Sequence, residues 1–262
     1  MYKKFKHLLK SIYIATRAGR NLRILPDDVF IVSYPKSGNT WVRFLISNML
    51  NEGEEITFAN IDEKLPDIYN VFRLSSKALI LKSHEYFDPR YRRVIYIIRD
   101  PRDVVLSYYH YFIKIKVFDD TYPLSKFVDQ FLDGSLDHFG HWKGNVGSWI
   151  GARIGDRDFL LLRYEDILIS PAEKLSEIAN FLGINVSSDQ IDNAVAQSSF
   201  EKMQSIENKT GHKWGSLKNN RLDRKFVRSG TAEQWRLGLS FEDSKKILDR
   251  WGELMLKFGY QS

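Results

Sequence analysis

The most constraining feature of the chain is an apolar run that leads directly into a turn carrying a lysine and a glycine. Residues 29–32 read Val-Phe-Ile-Val, residues 34–41 read Tyr-Pro-Lys-Ser-Gly-Asn-Thr-Trp, and apolar positions at helical spacing continue to Leu50. This order predicts a buried strand, a tight turn and a helix over residues 38–50. Such a junction points backbone N–H groups and a helix N-terminus at one place, which suits a phosphate- or sulfate-like anion.

The turn is not a Walker A loop. That motif places four residues between one glycine and the sequence Gly-Lys-Ser/Thr. Here Lys36 precedes Gly38, the only glycine of the turn, and no apolar strand ends in an aspartate clearly suited to Mg²⁺. Taken alone, the pattern also fits a plain surface turn, so the anion site depends on the rest of the chain.

Three further apolar runs predict strands, and a polar cluster follows each of them. The runs cover residues 78–81, 93–98 and 158–162. The clusters are Lys82-Ser-His84, Arg99-Asp-Pro101 and Arg163-Tyr-Glu-Asp166. Short strands that alternate with helices form a parallel sheet covered on both faces, and ligands bind at the carboxyl ends of its strands. The sequence therefore predicts a single α/β domain over residues 1–262, with a central parallel sheet flanked by helices.

Composition limits the ligand and the compartment. The net charge of +6 suits an anionic ligand, but its lysines and arginines are dispersed rather than gathered on one nucleic-acid-binding stretch. The absence of cysteine excludes disulfides, cysteine–zinc sites and thiol catalysis. Aromatic residues make up 14% of the chain, which favours a pocket that holds a ring. Because no segment has the length of a membrane span, we predict a cytoplasmic protein.

Two segments are predicted to lie outside the regular sheet-and-helix pattern. Residues 1–25 are basic with apolar positions at helical spacing, which predicts a helical extension docked on the domain; contact with a membrane surface is the alternative. Residues 205–225 are rich in Lys, Asn, Gly and Arg, which predicts a long mobile loop that acts as a lid. An amphipathic helix follows over residues 241–258.

At these residues the chain resembles the PAPS-dependent sulfotransferase family, in particular its cytosolic type. Residues 34–41 look like the 5′-phosphosulfate loop, and residues 99–112 look like the 3′-phosphate segment, with a P-loop-like binding turn. Four shorter matches follow in the family's order. They are Lys82-Ser-His84, Tyr164-Glu-Asp166, Ser198-Ser-Phe200 with Met203, and Arg228-Ser-Gly230 with Trp235. Asn39 and Ser229 depart from the residues that the family usually has at these positions.

The resemblance implies transfer of a sulfuryl group from PAPS to a hydroxyl or amine of a small-molecule acceptor, giving PAP, with no metal required. His84 would be the general base, Lys36 would act on the leaving oxygen, and Lys82 would stabilise the transferring group. The residues implied in binding PAPS are Lys36, Ser37, Gly38, Asn39, Thr40, Trp41, Arg99, Ser107, Tyr164, Ser198, Phe200, Arg228, Ser229 and Gly230. The residues implied in binding the acceptor are Tyr69, Phe72, Phe87, Phe139, His141 and Trp142.

Three alternatives stay open at this point. A P-loop kinase or NTPase would need the Walker A lysine and the metal-binding aspartate that the sequence lacks. A non-catalytic nucleotide-binding module would have no use for His84 and Lys82. A carbohydrate or peptide acceptor would keep the chemistry and change the pocket. The family's short C-terminal dimer motif is not recognisable, so the sequence leaves the oligomeric state open; no nucleic-acid partner is predicted.

Overall fold

Four parallel strands form the sheet in the computed structural model, which describes residues 24–51, 53–70, 77–217 and 220–260. Residues 1–23 of the predicted N-terminal extension and Phe72 lie outside the described residues. The strands are β1 (Val29–Ser33), β2 (Ile80–Ser83), β3 (Arg93–Ile98) and β4 (Phe159–Arg163). Their order is β2-β1-β3-β4, and each neighbouring pair is parallel. The predicted parallel sheet is confirmed. Strand β2 begins and ends two residues later than predicted, so that it includes Lys82 and Ser83.

Helices follow β1, β3 and β4, as the sequence predicts, whereas β2 leads to β3 without a helix. The α-helices are α1 (Asn39–Leu50), α2 (Ile61–Lys64), α3 (Pro101–Lys114), α4 (Leu124–Asp133), α5 (Trp142–Arg153), α6 (Tyr164–Ile169), α7 (Pro171–Leu182), α8 (Ser188–Gln197), α9 (Phe200–Thr210), α10 (Trp235–Gly238) and α11 (Phe241–Lys257). Two 3₁₀ turns, Gly211–Lys213 and Gly215–Leu217, follow α9. Helix α3 begins at a proline because Pro has no N–H to leave unpaired there, and the Asp100 carboxylate accepts the N–H of Arg102 at 2.9 Å.

The sheet separates two apolar layers because successive strand residues face opposite sides. Phe30 and Val32 of β1 pack in one layer with α3, α4, α5 and α11. Val29 and Ile31 of the same strand pack in the other with α1, α6, α7 and α8. All five residues of β1 are buried, as expected for a strand covered on both faces. Helices therefore cover both faces of the sheet, which confirms the predicted fold class.

The prediction of a long loop at residues 205–225 is wrong for residues 205–217. Those residues form the end of α9 and the two 3₁₀ turns, and Ile206, Trp214 and Leu217 are buried against Phe44 and Phe58. The apolar residues that anchor this segment are widely spaced among polar ones, so the sequence pattern did not indicate a helix there. Residues 220–225 contain no regular secondary structure. The role of this region as a lid stays a prediction.

Candidate active site

A cavity of about 770 Å³ lies where the carboxyl ends of all four strands meet. Lys36 enters it from the turn after β1, and His84 from the end of β2. Arg99 follows β3, and Tyr164 follows β4. The polar clusters that the sequence places after separate strands thus line one cavity, as expected for a parallel sheet.

The turn between β1 and α1 has a shape that requires glycine. Gly38 has a φ of +98°, and a Cβ there would lie 2.4 Å from the Tyr164 ring. The Asn39 amide donates to the Ile31 carbonyl at 3.1 Å and so fastens the turn to β1. No side chain caps the N-terminus of α1, which begins directly after Gly38. The positive end of this helix is therefore left for an anion.

Two cations of the cavity lie against aromatic rings. The Lys36 ammonium is 3.9 Å from the ring centroid of Phe226 and 4.4 Å from that of Tyr111. The Arg99 guanidinium is 4.1 Å from the ring centroid of Tyr164. Burial, and then the positive charge of Arg99, lower the pKa of Lys36 to about 7. A bound anion would relieve this repulsion, so the arrangement fits a phosphate or sulfate group.

Arg99 is also held by the chain around it. Its guanidinium donates to the Lys36 carbonyl at 3.4 Å and to the Thr231 carbonyl at 3.3 Å, and it lies 3.4 Å from a carboxylate oxygen of Asp103. Asp103 in turn accepts the backbone N–H groups of Glu233 and Trp235 at 2.8 and 3.0 Å. One buried carboxylate thus ties the start of α3 to the segment that follows Gly230.

Aromatic side chains line the same end of the cavity. The Trp41 ring meets the Tyr164 ring edge-on at 5.7 Å, and its Nε1–H donates to the Ser198 carbonyl at 2.9 Å. Gly230 has a φ of +62°, and a Cβ there would lie 2.5 Å from the Phe200 ring. Trp41, Tyr164 and Phe200 therefore provide flat faces close to the cations, a combination that suits a nucleotide.

Every residue predicted to bind PAPS lines this cavity except Ser37. Ser37 is completely buried, and its N–H donates to the Tyr34 carbonyl at 3.3 Å. It therefore shapes the turn instead of facing the cavity. Arg228, Ser229 and Gly230 approach from a part of the chain far from the turn, as do Ser198 and Phe200.

His84 is held in one tautomer by the backbone of β1. Its Nδ1 lies 2.8 Å from the Ser33 carbonyl oxygen, which can only accept, so Nδ1 carries the proton and Nε2 keeps its lone pair. Burial, and then the charge of Lys82, lower the pKa of His84 well below its usual value. Within the described ranges Nε2 has no protein partner. Lys82 forms an ion pair of 2.5 Å with Asp67 beside it.

The acceptor end of the cavity differs from the prediction. Tyr69 and Phe139 line it, whereas Phe87, His141 and Trp142 do not. Phe87 packs edge-on against Trp149 at 5.4 Å. His141 caps α5, because its Nδ1 accepts the N–H of Gly144 at 2.9 Å. Trp142 is fully buried and stacks on Trp251 at 5.7 Å. These three side chains therefore support the wall from behind.

Several residues of the cavity were not predicted from the sequence. They are Asp67, Tyr108, Tyr111, Phe112, Asp137, His138 and Phe226. A signal for some of them exists: Tyr108, Tyr111 and Phe112 lie on the helix that carries Ser107, and Phe226 lies two residues before Arg228. Side chains two, three or four apart often share one face of a strand or helix.

The segment before Arg228, residues 220–227, is held by two buried charges. The Glu207 carboxylate accepts the backbone N–H groups of Phe226 and Val227 at 2.7 and 2.8 Å. The Lys114 ammonium lies 3.3 Å from that carboxylate and donates to the Arg224 carbonyl at 2.6 Å. Together the two side chains fix Phe226 against Lys36 and set the position of Arg228.

A half-buried carboxylate, that of Glu165, links the last described residues to the cavity. Glu165 accepts the backbone N–H of Asp100 at 3.0 Å and the hydroxyl of Tyr260 at 3.1 Å. Asp100 directly follows Arg99. The position of Arg99 therefore depends on contacts from Glu165 of α6 and from Tyr260, which follows α11.

No helix in residues 24–260, the gaps excepted, is long and apolar enough to cross a membrane. No group of three or more His, Cys, Asp or Glu side chains within that same part of the chain is placed to hold a metal ion.

Comparison with known proteins identifies similar chains. The family model described as "sulfotransferase domain" matches residues 26–259. The rabbit (Oryctolagus cuniculus) amine sulfotransferase is 25% identical over 248 residues, which cover 87% of this chain and 80% of that protein. Human sulfotransferase 2B1 is 31% identical over 227 residues, which cover 80% of this chain and 61% of that protein.

Solved structures share the fold. Retinol dehydratase in complex with androsterone and the inactive cofactor PAP has a TM-score of 0.77 at 20% identity, covering 95% of this chain and 85% of its own. Mouse sulfotransferase SULT7A1 complexed with PAP has a TM-score of 0.74 at 23% identity, covering 95% and 90%. At identities of 20% and 23%, the similarity to these structures shows that the fold is shared.

Proposed function

The chain belongs to the sulfotransferase domain family, as its motifs predicted, and on this premise we propose that it transfers a sulfuryl group from PAPS to a hydroxyl or amine of a small-molecule acceptor. One observation carries the proposal. A glycine-dependent turn with an uncapped helix and two cations that lie against aromatic rings faces the same cavity as a neutral histidine. The turn, the helix N-terminus and the two cations suit an anionic donor. The neutral histidine suits the role of a base.

The donor would lie across residues from four parts of the chain. Lys36 and the turn up to Thr40 would hold the 5′-phosphate, and Arg99, Ser107 and Arg228 would hold the 3′-phosphate, because guanidinium groups match phosphate oxygens. The rings of Trp41, Tyr164 and Phe200 would enclose the adenine. Lys36 supports this assignment, because its pKa of about 7 would rise on contact with an anion.

The reaction requires one proton transfer and one displacement. The acceptor hydroxyl gives its proton to Nε2 of His84 as its oxygen forms a bond to sulfur. The bond between sulfur and the oxygen of the 5′-phosphate breaks, and that oxygen keeps the electron pair. Lys36 stabilises the charge that develops there, and Lys82 stabilises the transferring group. The Nδ1–H of His84 stays on the Ser33 carbonyl, so the ring gains a second proton without rotating.

The acceptor would be a small molecule with a ring. The cavity between His84 and α3 is lined by Tyr69, Tyr108, Tyr111, Phe112 and Phe139. Androsterone and retinol, which are ligands of the structurally similar retinol dehydratase, are also small and largely apolar. Aromatic walls offer dispersion and stacking contacts to such a ring and few hydrogen-bonding groups to a glycan.

Ligand-dependent melting tests the donor, and ADP serves as the matched control because it lacks the 3′-phosphate. We expect PAP at 100 times its Kd to stabilise the protein by about 2.7 kcal/mol without Mg²⁺. ADP, with or without Mg²⁺, should have little effect. Radiolabelled PAPS with a panel of phenols and alcohols should then give a labelled product. Stabilisation by ADP with Mg²⁺ and none by PAP would instead indicate a nucleotide kinase or NTPase.

A further inference from the structure

Asp137 is a carboxylate of the cavity that no cation neutralises in the part of the chain that the structure describes. It lines the cavity and accepts two hydrogen bonds, from the Phe139 backbone N–H at 2.9 Å and from the Tyr108 hydroxyl. Within the residues that the structure describes, no Lys, Arg or His forms an ion pair with it. By contrast, the cavity carboxylates Asp62 and Asp67 are paired with Arg43 and Lys82, at 2.6 and 2.5 Å.

The surroundings of Asp137 are aromatic. Tyr34, Tyr86, Tyr108 and Tyr111 each lie near enough for the carboxylate charge to raise their pKa. Burial in turn raises the pKa of Asp137 to about 6, so the group is mainly ionised at neutral pH despite its environment. A half-buried, ionised carboxylate without a counter-ion is unfavourable, and a cationic ligand would compensate its charge.

Asp137 is connected to His84, the proposed base, through Phe139. The ring of Phe139 meets the His84 ring edge-on at 5.5 Å, while the backbone N–H of Phe139 binds Asp137. Phe139 therefore lies between His84 and Asp137 on one wall of the cavity. Lys36, Arg99 and Arg228 line the opposite, donor end. The cavity is thus positive where the donor would bind and negative beyond the base.

We propose that Asp137 binds an ammonium group of the acceptor, so that the preferred acceptors are aromatic hydroxyl compounds that also carry a cationic amine. This inference rests on the proposed function, because it assigns the hydroxyl to His84 and the ammonium to Asp137. The rings of Tyr69, Tyr108 and Phe139 add faces over which a cation is favourable. An acceptor with a carboxylate in place of the amine is repelled by the same group.

Three probes of similar size test the inference: tyramine, 4-ethylphenol and 3-(4-hydroxyphenyl)propionate, which are cationic, neutral and anionic. Their binding is measured by calorimetry on the full chain, with and without PAP. For the natural sequence we expect the Kd of tyramine to be about 10- to 100-fold below that of 4-ethylphenol, as for a hydrogen-bonded charge pair. The propionate should bind most weakly.

Two variants separate the carboxylate from its surroundings. Asp137→Asn keeps the shape and should make the Kd values of tyramine and 4-ethylphenol equal. Asp133→Asn removes the same charge from an exposed position near the end of α4, outside this cavity, and should keep the preference for tyramine. Equal affinities in the natural sequence, or a preference for tyramine that survives Asp137→Asn, would overturn the inference, and the first of these needs no variant to fold.

The result is distinguishable from failure of the proposed function. A protein that binds tyramine through Asp137 but neither binds PAP nor transfers sulfate would refute the donor assignment and keep the ammonium site. A protein that uses PAPS but binds the three probes equally would refute the ammonium site alone.

Discussion

At His84, one hydrogen bond decides which ring nitrogen is available to a substrate. The Ser33 carbonyl holds the proton on Nδ1, and burial, and then the charge of Lys82, lower the pKa of the ring and keep it neutral. These contacts give the side chain the properties of a base at neutral pH. They arise because β1 and β2 are adjacent and parallel, so the residue after β2 reaches the last residue of β1.

Replacing His84 should affect turnover and leave donor binding unchanged. We expect His84→Ala to lower kcat by about 10²- to 10⁴-fold, the usual contribution of a positioned base. The Kd for PAP should stay the same, since PAP has no proton to transfer. Steady-state assays and PAP titrations measure the two quantities. His212→Ala, at an exposed position, is the control; equal activity of both variants would rule out His84 as the base.

The protonation of Lys36 should make PAP binding depend on pH. Its pKa of about 7 means that the free protein loses this charge as the pH rises from 7 to 9, while the phosphates of PAP, with a second pKa of about 6, stay fully charged. Affinity for PAP should therefore fall with rising pH, by up to about tenfold per unit.

The matched variant is Lys36→Arg, because arginine keeps its charge over this range. Its Kd for PAP should change much less between pH 7 and 9. Calorimetry across that range measures both proteins. A natural sequence whose Kd for PAP is constant from pH 7 to 9 would contradict the role given to Lys36.

The residues of the site were predictable where a motif fixes them and not where only packing does. Lys36, His84 and Arg99 follow strands in recognisable order, so a parallel sheet must bring them together. Asp137 carries no comparable signal, because its importance comes from the absence of a nearby cation, which only three-dimensional contacts reveal. Trp142 shows the converse error: an aromatic residue in a suggestive segment is buried behind the wall.

At the scale of elements, the position of residues 220–227 depends on two side chains that belong to helices. Glu207 on α9 and Lys114 on α3 hold it through backbone groups. The sequence predicted the four strands and the helices α1 and α11 because their apolar periodicity is continuous. It failed at residues 205–217 because the apolar positions there are spaced widely among polar ones, and the burial of Trp214 and Leu217 depends on Phe44 and Phe58.

Weakening this attachment should weaken donor binding. Glu207→Gln loses the charge that faces Lys114 and turns one side-chain N–H₂ group towards a backbone N–H, and an unpaired buried group costs about 1–3 kcal/mol. We expect the Kd for PAP to rise by about tenfold, since Arg228 is no longer held. Lys225→Ala, an exposed neighbour on the same segment, should leave it unchanged; equal Kd values for the two variants would show that the segment does not position Arg228.

At the scale of the whole molecule, the cavity is assembled from pieces that are distant in the sequence. The turn at residues 36–40, the start of α3 and residues 228–230 all line it. We expect PAP to slow amide hydrogen exchange in residues 36–42 and also in residues 226–230, as measured by mass spectrometry. ADP should slow exchange only in the first group. Protection by PAP confined to residues 36–42 would show that residues 228–230 do not bind the 3′-phosphate.

The hydrogen bond from Tyr260 to Glu165 has a consequence for biosynthesis. Glu165 positions the backbone after Arg99, so a contact made by residue 260 helps to place a side chain encoded 161 residues earlier. A nascent chain still attached to the ribosome can form the sheet, but its nucleotide cleft stays incomplete until this tyrosine has emerged from the exit tunnel.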